Sequence, residues 1–170
     1  IWWFELSIPS ILRKFKADLF LSPDGYLSLR TKLPSLAVIH DLNFEHYPKD
    51  LPWIIRKYYR FFFPRFARKA KRIATVSTFS AGDIATRYRI PPHRIDVVFD
   101  GANEEFRPLT ADEKEQAQQR FSRGVPYFIF VGSLHPRKNL VNLFRAFDHF
   151  LKHNPDTHFK LVIVGEKKWW

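Results

Sequence analysis

The chain has 170 residues, 45% of them apolar, with 18 Phe, no Cys and no Met. The apolar share supports a packed core and excludes wholesale disorder, and the missing Cys excludes a disulfide framework and any thiolate metal site. A net charge of +11, from 28 basic and 17 acidic residues, favours anionic partners (phosphates, nucleic acid or an acidic membrane surface) without choosing among them.

Residues 4–20 mix helical spacing with Pro9, which predicts a helix over 10–16 and then a short strand in DLFLS. PDGYLSLRTKLP reads as loop, punctuated by Pro and Gly. SLAVI is a short apolar run, the pattern of a buried strand, and it ends at His40 and Asp41. NFEHYPKDLP reads as loop again. Residues 53–71 are aromatic, basic and helical in spacing, and Pro64 is expected to kink or divide that helix. RIATV is the next strand, followed by Ser77 and Ser80, two good N-caps for a helix reaching Tyr88. RIPPHR is a turn, IDVVF a strand, and DGANEEFRP a loop with Gly101 suited to a tight turn.

Thr110 with Glu113 three residues on is a capping-box signature, and the helix it opens is polar all round, as a connector would be. YFIFV is a strand, and Leu140, Leu143, Phe144, Phe147 and Leu151 then recur at helical spacing and define one apolar face. NPDTH is a turn and KLVIV the last strand. Short apolar strands alternating with helices predict an α/β fold with parallel sheets. The polar stretch 104–126 reads as a linker between residues 1–103 and a second βαβ unit over 127–170. The absence of Met and a chain ending just past a strand pattern lead us to expect an internal piece of a longer protein. No run of about 18 apolar residues exists to form a transmembrane helix, and the opening IWW lacks the features of a signal peptide.

In open parallel sheets ligands bind beyond the carboxyl ends of strands. Here those ends present His40 and Asp41, then Ser77 and Thr78, then Asp100 and Gly101, then Gly132 and Ser133 with Arg137 and Lys138, and last Gly165 and Glu166. Loops are polar in general, so each taken singly is weak. VGSLHPRKNL is the most informative: a strand runs into Gly132, which lets a ligand approach the backbone, and two cations sit ahead of a helix start. Cations beside a helix N-terminus are unfavourable for the helix, and a bound phosphate would offset that. The alternative is an exposed basic turn before an amphipathic helix. Neither a Walker A loop nor a GxGxxG fingerprint is present.

FVGSLHPRKNLVNLFRAF resembles the first strand, loop and helix of the C-terminal domain in GT-B glycosyltransferases of family 4. RIATVSTFSAGDIATRYRIPPHRIDVVFDGANEEFRP is similar to that family's stretch at the end of the N-terminal domain. LAVIHDLNFEHYP resembles its strand and HD turn, and KLVIVGEKKWW its next C-domain strand. The order and spacing are the family's, from about Leu36 onward. The resemblance implies Rossmann-like parallel sheets in two domains. Residues 1–103 would be part of the N-terminal, acceptor-side domain, 104–126 the interdomain linker, and 127–170 the start of the donor domain. It implies transfer of a sugar from a nucleotide-diphosphate donor to a glycan or lipid-linked acceptor, with retention at the anomeric carbon, as in polysaccharide biosynthesis. It further implies that Lys138 binds the donor diphosphate, that Gly132 and Ser133 form the phosphate-side loop, that His40 supports the reacting centre, and that Asp41, Ser77 and Gly101 line the cleft.

The sequence also departs from the family's pattern. Ser133 stands where many members carry Arg, and Arg137 is expected to supply that guanidinium. Asp100-Gly101 replaces the usual Asn-Gly. The family's Glu-x7-Glu motif would fall beyond Trp170, so this piece alone is expected to be inactive. No cofactor and no metal are expected, the nucleotide sugar being a substrate. Mannose as the transferred sugar rests on analogy with the PRKN loop.

Residues 56–72 hold eight basic and no acidic side chains, interleaved with aromatics. One reading is peripheral contact with an anionic membrane; the other is a helix with aromatics in the core and a solvated basic face. The expected location is the cytoplasm, with the inner membrane face as the site of any such contact. Two rival functions remain: a catalytically inactive binding domain, and a basic nucleic-acid module. The latter lacks any zinc, RNP or KH pattern and is not the expected partner class.

Overall fold

The computed structural model describes residues 3–166. The last four residues of KLVIVGEKKWW lie outside the described residues. Two compact units divide the chain, Ile1–Gly101 and Ala102–Trp170. In the first, a four-stranded parallel sheet runs in the order β1 (Phe20–Ser22), β2 (Ser35–Val38), β3 (Arg72–Thr75) and β4 (Ile95–Val97). The register pairs Leu21 with Leu36, Ala37 with Ile73 and Ala74 with Asp96. Strand order follows chain order, so each crossover returns the chain to the same starting edge.

A wide helical turn at Trp3–Ser7 leads into α1 (Ile8–Lys14), two residues earlier than the spacing predicts. Pro9 sits in the first turn, where the N–H it lacks would have no helical acceptor. The stretch expected as loop after β2 folds instead into α2 (Asn43–His46) and a 3₁₀ turn at Pro48–Asp50. Its anchor is Phe44, buried with its ring centroid 5.0 Å from those of both Tyr59 and Phe63.

Helix α3 (Trp53–Lys69) continues through Pro64 as a single element. Proline cannot donate to the carbonyl one turn back. The flanking Phe63 and Phe66 are nonetheless both buried in the core, with Ala67 and Ala70, beside Ile39 and Ile73 from the sheet. Burying one such Phe side chain contributes about 2–3 kcal/mol, of the same order as the penalty of an internal proline. The Arg65 guanidinium donates to the Phe61 carbonyl and lies 3.5 Å from the Phe61 ring centroid, which covers the turn just before Pro64.

Ser77 caps α4 (Thr78–Tyr88): its Oγ accepts from the Ser80 amide at 3.1 Å, so Ser77 is the cap and Ser80 lies inside the helix. Ile84 and Tyr88, one turn apart, are buried against the same core.

In the second unit α5 (Ala111–Ser122) starts at the full capping box of Thr110 and Glu113. The Arg107 guanidinium, together with the Thr110 backbone and hydroxyl, holds the Glu113 carboxyl down to about 2. Ser122 at the end of this helix is buried, and Lys160 Nζ donates to its carbonyl at 2.5 Å. Strands β5 (Tyr127–Val131) and β6 (Lys160–Val164) pair in parallel, Tyr127 with Lys160 through Val131 with Val164, joined by α6 (Leu140–His153). Phe128 packs its ring against Phe147, Phe150 and Phe159. Phe144, placed by periodicity on the apolar face, is instead exposed. The rings of Phe147 and Phe150, further along α6, meet that of Phe128.

The two strand ends of this unit meet backbone to backbone. The Gly132 amide donates to the Val164 carbonyl at 2.9 Å and the Leu134 amide to the Glu166 carbonyl at 3.3 Å. Gly132 has φ +152°, which side-chain-bearing residues rarely adopt, and a Cβ at Gly165 would overlap the Gly132 carbonyl oxygen. Gly82 in α4 has nothing within 4 Å of such a Cβ. Gly165→Ala is therefore expected to destabilise the second unit by about 1–3 kcal/mol, and Gly82→Ala to stabilise the first by about 0.5–1 kcal/mol. Denaturant unfolding of both variants checks this; equal midpoints would contradict it.

Candidate active-site segments

Parallel pairing delivers β2, β3 and β4 to one edge of the first unit. The Ile39 amide still donates to the Ala74 carbonyl (2.9 Å) and the Val98 amide to the Thr75 carbonyl (2.8 Å), so pairing holds up to the residues where the turns begin. His40 and Asp41 come next, both exposed. His40 Nε2 lies 3.1 Å from the Pro23 carbonyl oxygen. A carbonyl only accepts, so Nε2 is the donor in this contact and Nδ1 takes no part in it. Asp41 Oδ1 accepts from the Asn43 amide at 2.9 Å, which starts α2.

The loop after β1 comes up beside this turn. Gly25 has φ +74°, and a Cβ there would stand 3.3 Å from Ile39, Phe63 and the Val38 carbonyl. Asp24 and Tyr26 thus flank a hollow completed by His40, Asp41, Phe44 and Tyr59. Tyr26 Oη donates to Tyr59 Oη at 2.7 Å, and burial, then that bond, pushes the Tyr26 phenol well above its ordinary value. Nothing in the spacing of Asp24 or Tyr26 singles them out; only folding brings them to His40.

The Ser77 hydroxyl accepts from the Ser80 amide and donates to Ser80 Oγ at 3.0 Å, so it is engaged in holding the start of α4. Gly101 is exposed and open. Behind the His40–Asp41 turn, α2 is fastened to α4. His46 Nε2 is 2.6 Å from Asp83 Oδ2, and Arg87 reaches both, Nε to Asp83 Oδ1 at 2.8 Å and Nη2 to His46 Nδ1 at 3.0 Å. Tyr88 Oη donates to Glu45 Oε1 at 3.3 Å; burial first, and the Glu45 charge next, push its phenol far up.

In the second unit Gly132, Ser133, Arg137 and Lys138 lie together in one turn at the end of β5. His135 organises it: Nδ1 accepts from the Arg137 amide at 3.1 Å and its carbonyl from the Lys138 amide at 2.8 Å. These bonds shape a 3₁₀ turn at Pro136–Lys138, then Asn139 with φ +55° and then α6. The Arg137, Lys138 and Asn139 amides are consumed inside the turn. The Arg137 and Lys138 side chains are exposed, so they remain available to a ligand although their own amides are not. Among the described residues no three His, Asp or Glu side chains converge as a metal site needs, and no helix is long and apolar enough to cross a membrane.

Known proteins place the whole chain in one context. Residues 1–106 match the family described as Glycosyltransferase Family 4, and residues 111–169 match Glycosyl transferases group 1. The O-antigen chain mannosyltransferase B of Escherichia coli is 25% identical over 163 residues, which is 93% of this chain and 41% of that protein. The chain thus spans less than half the length of this relative. With one family matching more than half of the chain and a second the remainder, on parallel α/β units whose strand ends carry His40, Asp41 and the Gly132–Lys138 turn, the chain belongs to glycosyltransferase family 4.

Proposed function

We propose that the protein carrying this chain transfers a sugar, mannose by analogy with its relative, from a nucleotide-diphosphate donor to a glycan or lipid-linked acceptor, with retention at the anomeric carbon. The observation that carries the reading is the turn at the end of β5, which sets two exposed cations beside the Gly132–Gly165 contact. In such a transfer the leaving group is a nucleoside diphosphate, and negative charge grows on it as the glycosidic bond breaks. Lys138 acts as a point charge on that diphosphate and Arg137 as a two-pronged donor, standing in for the Arg that Ser133 replaces. Gly132 lets the phosphates approach the chain. His40 presents Nδ1 towards the transferred sugar, with Asp41, Ser77 and Gly101 forming the wall around it. The reading assigns no cofactor, because the donor is itself a substrate.

The exposed face of α3 supports a further partner. Trp53, Ile54 and Phe61 stand 61%, 63% and 51% exposed beside Lys57, Arg65 and Arg68, on a helix without an acidic residue. The opposite face, with Phe63 and Phe66, is in the core, so folding accounts for only part of the aromatic content. The remainder fits contact with an anionic lipid surface, where apolar rings insert and cations meet headgroups.

Lys138→Ala in the full-length protein lowers sugar-transfer turnover at least tenfold, about 1.4 kcal/mol of transition-state stabilisation; near-wild-type turnover would contradict the donor assignment. Co-sedimentation with vesicles containing anionic lipid, but not with neutral vesicles, is expected for the wild type and is weakened in Phe61→Ser with Arg65→Ser. Binding that ignores vesicle charge, or no binding, would retire the membrane contact.

A further inference from the structure

Helix α2 has four residues, too few to persist through its own hydrogen bonds. It nevertheless begins directly after the turn that carries His40 and Asp41, and its first amide is the one Asp41 holds. Its place is set from outside, by Phe44 in the core and by the bonds from His46 to α4. Helix α4 in turn begins at Ser77. Strand pairing brings the two neighbouring turns together, one bearing His40 and Asp41, the other Ser77, and the His46 contacts add a tie between the helices that follow them.

The geometry of these contacts selects one form of the ring. A carboxylate only accepts, so the short contact to Asp83 places the proton on Nε2. A guanidinium only donates, so the contact to Arg87 makes Nδ1 the acceptor. Asp83 holds Arg87 through its other oxygen, which closes a three-membered ring of hydrogen bonds. The charged groups around it are Asp83 and Arg87 on α4, with Glu45 alongside in α2 facing Tyr88 of α4 and Arg60 of α3. We propose that His46, as its neutral Nε2–H tautomer clamped between Asp83 and Arg87, is a positioning residue that holds the His40–Asp41 turn at its working distance from Ser77. The functional half of this statement rests on the reading of His40 given above; the structural half does not.

Glutamine provides the discriminating substitution. Its amide NH₂ can donate to Asp83 while its carbonyl accepts from Arg87, so His46→Gln keeps both bonds, whereas His46→Ala keeps neither. Histidine-selective ¹⁵N NMR on the full-length protein is expected to show His46 with a protonated Nε2 and an unprotonated Nδ1 at neutral pH. Hydrogen exchange of the Asn43 and Tyr47 amides is expected to speed up at least tenfold in His46→Ala and to stay within about threefold of wild type in His46→Gln. In a sugar-transfer assay kcat should fall in His46→Ala and recover in His46→Gln. A protonated Nδ1, or equal exchange in the two variants, would overturn the clamp whatever the enzyme does. The expected exchange behaviour with unaltered kcat in His46→Ala would overturn the positioning role of His46 if His40→Ala lowers kcat, and the role assigned to His40 if it does not.

Discussion

Parallel strand pairing is the constraint on which the rest of the structure depends. Every strand pair among the described residues is parallel, so each connection must cross back over the sheet and every strand must end on the same edge as its neighbour. The crossovers are held down by apolar faces: Phe63, Phe66 and Ala67 of α3 and Ile84 and Tyr88 of α4 in the first unit, Phe147 and Phe150 of α6 in the second. Once those faces are buried, residues far apart in sequence share an edge without any contact between themselves. His40 and Ser77 are 37 positions apart, yet they terminate paired strands.

Local signals in the sequence are reliable where the physics is local. The Thr110–Glu113 capping box forms as spelled, because both bonds lie within one helical turn. Ser77 caps α4, and strands β1 to β6 appear where short apolar runs predict them. Signals fail where a distant partner decides. Pro64 does not break α3, because Phe63 and Phe66 are buried on either side of it. The segment after Asp41 folds into helical turns because the rings of Tyr59 and Phe63 receive Phe44. Phe144 and Phe150 differ by where Phe128 and Phe159 happen to stand, which periodicity within α6 cannot tell.

The same division runs through the candidate site residues. His40, Asp41, Ser77 and the Gly132–Lys138 turn are legible in the sequence because they come directly after strands. Asp24 and Tyr26 beside His40, and the clamp of His46, Asp83 and Arg87, are not, because each needs two or three elements to meet. His135 is visible as a letter but not as a role. Its ring accepts the Arg137 amide and thereby turns the neighbouring backbone inward. That bond occupies the Arg137 amide and leaves the Arg137 and Lys138 side chains exposed, which the sequence alone does not show.

The central claim is that the turn at the end of β5 receives a nucleoside diphosphate. Titration of the isotope-labelled full-length protein with GDP and with UDP, monitored by amide NMR, tests it most directly. The account predicts saturable shifts concentrated at Gly132, Ser133, Arg137, Lys138 and Gly165 for at least one nucleotide, lost in Lys138→Ala. Saturable binding that leaves those amides unmoved, or no binding at millimolar nucleotide, would contradict it.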